Sequence, residues 1–143
     1  DNLAGQDGDD EIDGDAGDDV IRGGAGLDLV QGGADNDDIG GGADADTLNG
    51  NDGDDLVNGD DGDDVLAGQL GNDTINGGTG DDTIEGNGDR APNPADAETD
   101  DDVLSGNEGD DTISGDEGDD VISGGDDNDT VTGDAGASAG WIE

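Results

Sequence analysis

Cysteine, histidine, methionine, phenylalanine and tyrosine are all missing from these 143 residues, and tryptophan occurs once, at Trp141. Without Cys or His there is no disulfide framework, no thiol chemistry and no zinc site of the usual ligand types. Lysine is missing too; the only side-chain cations are Arg22 and Arg90, against 44 Asp and Glu, for a net charge of −42. Nucleic acids and anionic membranes select clusters of Lys and Arg, so neither is expected as a partner. Apolar runs reach two or three residues, far below the roughly 20 needed for a helix to span a bilayer, so no membrane insertion is expected. No signal-peptide pattern is present. The opening Asp1-Asn2-Leu3-Ala4 reads as the back half of a repeat, hence as part of a longer array. Acidic, glycine-rich and poor in aromatics, the composition alone is that of a disordered chain.

What is present argues for order. Fourteen aspartates in one register are each followed two residues later by Leu, Ile or Val, and twelve of the thirteen steps between them are nine residues long. The aspartates are Asp1, Asp10, Asp19, Asp28, Asp37, Asp46, Asp55, Asp64, Asp73, Asp82, Asp102, Asp111, Asp120 and Asp129. Their apolar partners run from Leu3, Ile12 and Ile21 to Ile113, Ile122 and Val131. So strict a period signifies a stack of small identical units, none of which buries its apolar residue alone.

Cut at each leading glycine, the unit is G-x-x-G-(D/N)-D-x-(L/I/V)-x, as in Gly14-Asp15-Ala16-Gly17-Asp18-Asp19-Val20-Ile21-Arg22. Regular units fill residues 5–85; the next unit, 86–105, carries eleven extra residues; regular units resume over 106–132; and 133–143 is degenerate, a candidate cap. The whole, 1–143, reads as one domain. Positions seven to nine predict a very short strand whose eighth residue turns inward by the period-two alternation of strands. Positions one to six predict a turn, with glycine leading every unit for positive φ or close backbone approach. Position four is Gly except at Asp35, Asp44 and Asp127 in the regular units, and Asp tolerates the left-handed region better than most residues. Two units would make one coil, and about seven coils stacked at ~4.8 Å give an all-β solenoid. Glycine at this frequency excludes helix.

These residues resemble the nonapeptide of RTX proteins, the hemolysin-type calcium-binding repeat, over about nine-tenths of the chain. The resemblance implies a right-handed parallel β-roll with Ca²⁺ held between turns stacked along each edge. It implies that position-six aspartates one coil apart supply side-chain oxygens: Asp19 with Asp37 on one edge, Asp10 with Asp28 and Asp28 with Asp46 on the other. The same role falls on Asp55, Asp64, Asp73, Asp82, Asp102, Asp111, Asp120 and Asp129. Carbonyls of positions two and four from one turn, and one and three from the next, would complete an all-oxygen shell. Around Asp19 these contacts fall on Gly14, Asp15, Ala16 and Gly17 and on Gly32, Gly33, Ala34 and Asp35. Along the array the carbonyl set continues through Gly23, Ala25 and Gly26, through Gly50, Asp52 and Gly53, and through Gly59, Asp61 and Gly62. It closes with Gly68, Gly71, Gly77, Gly80, Gly106, Gly109, Gly115 and Gly118. The chemistry of the residues agrees, because Ca²⁺ takes six to eight hard oxygens and these turns offer little else. Position five need not be a ligand, since Leu27 and Ala45 occupy it; it reads as a turn former or an outer charge.

Competing readings are weaker. As ordinary solvated turn residues, the position-six aspartates would not keep register with an apolar partner, whereas the acid side chains at positions two, three and five, such as Asp7, Asp15, Asp52 and Asp60, suit that role. An EF-hand beginning at Asp9 fails because its twelfth position is Val20 where a bidentate Glu is needed. Residues 88–99, with Pro92 and Pro94, read as a surface loop, and Asp102-Val103-Leu104 resumes the pattern. Outward Val20, Leu56, Val103 and Val121 are interrupted by Asp38 and Thr74, which makes a half-exposed face rather than a binding surface. Trp141 and Ile142 suit a cap over the open end or the start of another domain. An enzyme is not expected without His, Cys, Lys or Tyr. A polysaccharide-binding or adhesin stalk module is the alternative reading, though such surfaces use aromatic or basic residues scarce here. The resemblance implies secretion through type I machinery as part of a larger extracellular protein, and folding on binding up to about twelve Ca²⁺.

Overall fold

A computed structural model describes residues 1–86, 101–116, 118–133 and 140–141, and every regular element among them is a β-strand. In chain order these are β1 (Asn2–Asp7), β2 (Glu11–Asp13), β3 (Val20–Ala25), β4 (Leu29–Ala34), β5 (Asp38–Ala43), β6 (Thr47–Asp52), β7 (Leu56–Asp61) and β8 (Val65–Leu70). There follow β9 (Thr74–Thr79), β10 (Thr83–Glu85), β11 (Val103–Glu108), β12 (Thr112–Ser114), β13 (Val121–Asp126), β14 (Thr130–Thr132) and β15 (Gly140–Trp141). Odd strands form one sheet of eight and even strands one of seven, all neighbours parallel. Successive strands thus alternate between two sheets, and each pairs with the strand two places on. That is the parallel β-solenoid the nine-residue period predicts.

The core is a double file of single side chains. Ile21, Ile39, Val57, Ile75, Leu104 and Ile122 stack in one sheet and Val30, Leu48, Leu66, Ile84 and Ile113 in the other, all buried. Leu3, Ile12 and Val131 pack against them at the ends, so every position-eight residue is accounted for. An aliphatic neighbour at every rung explains the one-residue precision of the register: a slip would turn the whole file outward.

Two features go beyond the expected strand and turn. Most strands run six residues rather than three, because pairing continues through positions one to three of the turn. There the Ala34 N–H donates to the Asp15 carbonyl (3.0 Å), the Gly17 N–H to Ala34 (2.9 Å) and the Gln69 N–H to Gly86 (2.7 Å). Only β2, β10, β12 and β14 keep the expected three residues. Second, the turns take positive φ at position two as well as position four. Gln6 (88°), Asn51 (82°), Asp60 (78°) and Gln69 (85°) sit there beside glycines such as Gly24 (125°). At position four, Asp35 (77°), Asp44 (74°) and Asp127 (80°) adopt the left-handed conformation expected of them.

The repeat recovers its register after the longer unit. β9 pairs with β11, placing Ile75 opposite Leu104, and β10 pairs with β12, placing Ile84 opposite Ile113. The inserted residues 88–99 and Ile142 lie outside the described residues, while the Gly140–Trp141 backbone pairs with β13. Val20, Leu56, Val103 and Val121 are partly exposed on one sheet, in file with Asp38 and Thr74.

Candidate metal centres

Each position-six aspartate ends a turn immediately before an outward residue and the core residue, so the turn carries its carboxylate inward at the edge of the apolar file. Eleven of them, from Asp19 to Asp120, are only 1–8% exposed. On each edge they form a ladder in which the Oδ1 of one coil accepts from the aspartate N–H of the coil below. The Asp19 N–H donates to Asp37 (2.8 Å), Asp37 to Asp55 (2.8 Å), Asp55 to Asp73 (2.8 Å), Asp73 to Asp102 (2.8 Å) and Asp102 to Asp120 (3.0 Å). On the other edge Asp10 donates to Asp28 (2.8 Å), and the series runs through Asp46, Asp64, Asp82 and Asp111 to Asp129. Asp102 is in line despite the insertion before it.

The second oxygen identifies what this arrangement can hold. Oδ2 of Asp10, Asp19, Asp28, Asp37, Asp46, Asp55, Asp64, Asp82 and Asp111 is buried with no hydrogen-bond partner. Each faces the leading glycine of its own turn. A Cβ on Gly23 would fall under 3.0 Å from both Asp28 Oδ2 and the Gly41 carbonyl, and Gly14, Gly32, Gly50, Gly59 and Gly77 show the same geometry. The leading glycine is therefore required by close approach: among the described leading glycines none takes positive φ. A space bordered by carboxylate and carbonyl oxygens without a donor repels anions and suits a hard cation. Position-four carbonyls also face the next coil, Gly8 toward Gly26 and Asp35 toward Gly53. Those at positions one, two and three, including Ala16, Ala25 and Ala34, lie along the turn ladder, where Ala25 and Ala34 already accept one backbone bond each. A carbonyl has a second lone pair, so that bond does not prevent ligation. Among the described residues no group of three or more acidic side chains converges on one point. What the turns present between coils is therefore carboxylate oxygens together with backbone carbonyls.

Burial drives six of these carboxyls toward the protonated form. It raises Asp46 and Asp55 to about 6 and Asp82 to about 7; the N–H bonds from Asp28, Asp37 and Asp64 partly oppose this, and neighbouring carboxylates add to it. Asp37, Asp64 and Asp111 are raised for the same leading reason. Because the folded value exceeds the ordinary 3.8, this contribution to metal-free stability is present below that value and lost as pH rises through about 6 to 7. In calcium-free buffer, acidification from pH 8 toward 4 should therefore increase sheet content, read by far-UV circular dichroism. Sheet content that rises with pH instead would contradict the burial of these groups.

Position five is the residue whose role the sequence reading missed. Its side chain is a hydrogen-bond acceptor between coils, and the signal was its restriction to Asp or Asn outside Leu27 and Ala45.

Segments 1–30, 14–48, 31–66, 40–75, 58–90, 96–131 and 105–138 match the family described as RTX calcium-binding nonapeptide repeat (4 copies). Compared with curated proteins, the chain has no match.

Proposed function

Because the chain belongs to the RTX calcium-binding nonapeptide-repeat family, we propose that it is a calcium-triggered folding module of a larger exported protein, without catalytic activity of its own. One observation carries the reading: the buried, unpartnered Oδ2 atoms facing carbonyl oxygens at every described step of both edges from Asp10 to Asp64. Asp19 and Asp37 would hold one ion with carbonyls of Asp15, Gly17, Gly32 and Ala34, and each further pair of coils would repeat the set. The two ladders provide for up to about twelve ions. When bound, Ca²⁺ supplies positive charge between carboxylates that otherwise repel one another. The polypeptide fixes spacing, excludes side chains at the leading glycine and keeps Oδ1 on a backbone N–H so that Oδ2 faces the ion.

In a low-calcium cytoplasm the charge of −42 keeps the chain open by self-repulsion, a form suited to passage through type I secretion machinery. Outside, calcium binding to the folded form alone shifts the equilibrium by mass action. Titration with Ca²⁺ and separately with Mg²⁺, followed by circular dichroism, tests the coordination. Mg²⁺ demands a compact octahedron and retains its waters, so it should require a far higher concentration. Equal midpoints for the two ions would overturn the reading.

A further inference from the structure

The fifth residue of each turn builds a second ladder, directed opposite to the first. On one edge Asp18 Oδ1 accepts from the Asn36 N–H (3.3 Å), Asn36 from Asp54 (3.1 Å), Asp54 from Asn72 (3.0 Å), Asn72 from Asp101 (2.9 Å) and Asp101 from Asp119 (2.8 Å). Here the upper coil donates and the lower side chain accepts, whereas at position six the lower coil donates. On this edge each inner turn is thus tied to its neighbours by its fifth residue as well as by its sixth. Asp and Asn serve interchangeably, so the requirement is an acceptor oxygen and not a charge.

On the other edge Asp9 accepts from the Leu27 N–H (3.0 Å), Asp63 from Asp81 (3.0 Å), Asp81 from Asp110 (3.0 Å) and Asp110 from Asn128 (2.9 Å). Between these rungs stand Leu27 and Ala45, whose side chains have no oxygen to offer the N–H groups of Ala45 and Asp63 above them.

The consequence follows from the planar trans peptide, in which C=O points opposite to N–H. The position-five N–H shares its peptide with the position-four carbonyl. Holding that N–H toward the coil below fixes the carbonyl toward the coil above, as at Gly53 facing Gly71 and Gly80 facing Gly109; at the lapsed rungs the Asp44 and Gly62 carbonyls take the same direction without that bond to hold them. We propose that the position-five side chain is a positioning residue for calcium, fixing the position-four carbonyl toward the ion, and that the lapse at Leu27 and Ala45 makes the Asp46–Asp64 and Asp64–Asp82 pairs the weakest of the array. This rests on the calcium reading above.

The test uses the whole chain and Ca²⁺ itself, with Asp54→Asn, Asp54→Ala and Ala45→Asn beside the parent. One net hydrogen bond corresponds to a factor of about five. Asp54→Ala should raise the calcium midpoint by about that factor and, in the calcium-loaded state, lose exchange protection at the Asn72 amide. Asp54→Asn should keep the midpoint within about twofold of the parent, with the amide still protected. Ala45→Asn supplies the missing acceptor and should lower the midpoint, which decides the matter even where Asp54→Ala fails to fold. If Asp54→Asn behaves like Asp54→Ala, or Ala45→Asn leaves the midpoint unchanged in a parent that folds with calcium, the positioning role is overturned and the calcium reading stands. A parent whose sheet signal ignores calcium overturns both.

Discussion

Stripped of calcium near neutral pH, the chain is expected to lose its sheet and behave as an expanded coil, and to regain the sheet when millimolar Ca²⁺ is restored. The apolar core is the reason for that expectation: it is a double file with one aliphatic side chain per strand and no aromatic residue among its buried members. Beside it run two rows of buried carboxylates, and burial already pushes Asp37, Asp46, Asp55, Asp64, Asp82 and Asp111 among them toward protonation. Above pH 7 those groups must ionise in the fold, at a cost of several kcal/mol for a buried charge without a partner. The protein offers little compensation. Arg22 bonds Asp38 at 3.0 Å on the exposed surface, and Arg90 is the only other side-chain cation in the sequence. A cation between coils would remove the repulsion and join adjacent turns at once. Far-UV circular dichroism and small-angle scattering, in chelator and then in calcium, measure the change. Equal sheet content and equal size in both conditions would contradict the mechanism.

Much of this was legible in the sequence because one physical constraint repeats. The alternation that turns Ile21 inward also places Asp19 at the turn's end, so a nine-residue period determines both core and ladder. Asp35 and Asp44 signalled left-handed turns because few other residues replace glycine there. The rest depended on neighbours a full coil away. Nothing local at Gln6 or Gln69 announces positive φ, which goes with the pairing of the turn backbone to a neighbouring coil. Nothing local at Asp18 shows that its side chain accepts from Asn36, eighteen residues on. Leading glycines were assigned to either positive φ or close approach, and only the position of Asp28 Oδ2 beside Gly23 selects the second.

Replacing Asp55 by Ala should raise the calcium midpoint by roughly 10- to 100-fold, the range for losing one hydrogen bond to a charged group, and should flatten the transition. Asp55 stands in the middle of its ladder. Its Oδ1 accepts from the Asp37 N–H, its own N–H donates to Asp73, and its Oδ2 is buried against Gly50. The substitution leaves the Asp37 N–H buried without its acceptor and removes the carboxylate proposed to be shared by the ions toward Asp37 and Asp73. Stability in a stacked array is a sum of nearest-neighbour interfaces, so a central break divides one cooperative unit into two shorter ones. An off-ladder acid provides the control, and the structure determines how to alter it. Asp60 is exposed at position two with φ 78°, where alanine would add backbone strain of roughly 1 kcal/mol. Asp60→Asn keeps a residue tolerant of that conformation and removes only the charge, so its midpoint should stay near the parent's. Calcium titration gives both the midpoint and the Hill slope of each variant. Equal shifts for Asp55→Ala and Asp60→Asn would make overall charge density, rather than the ladder, the basis of calcium-dependent folding.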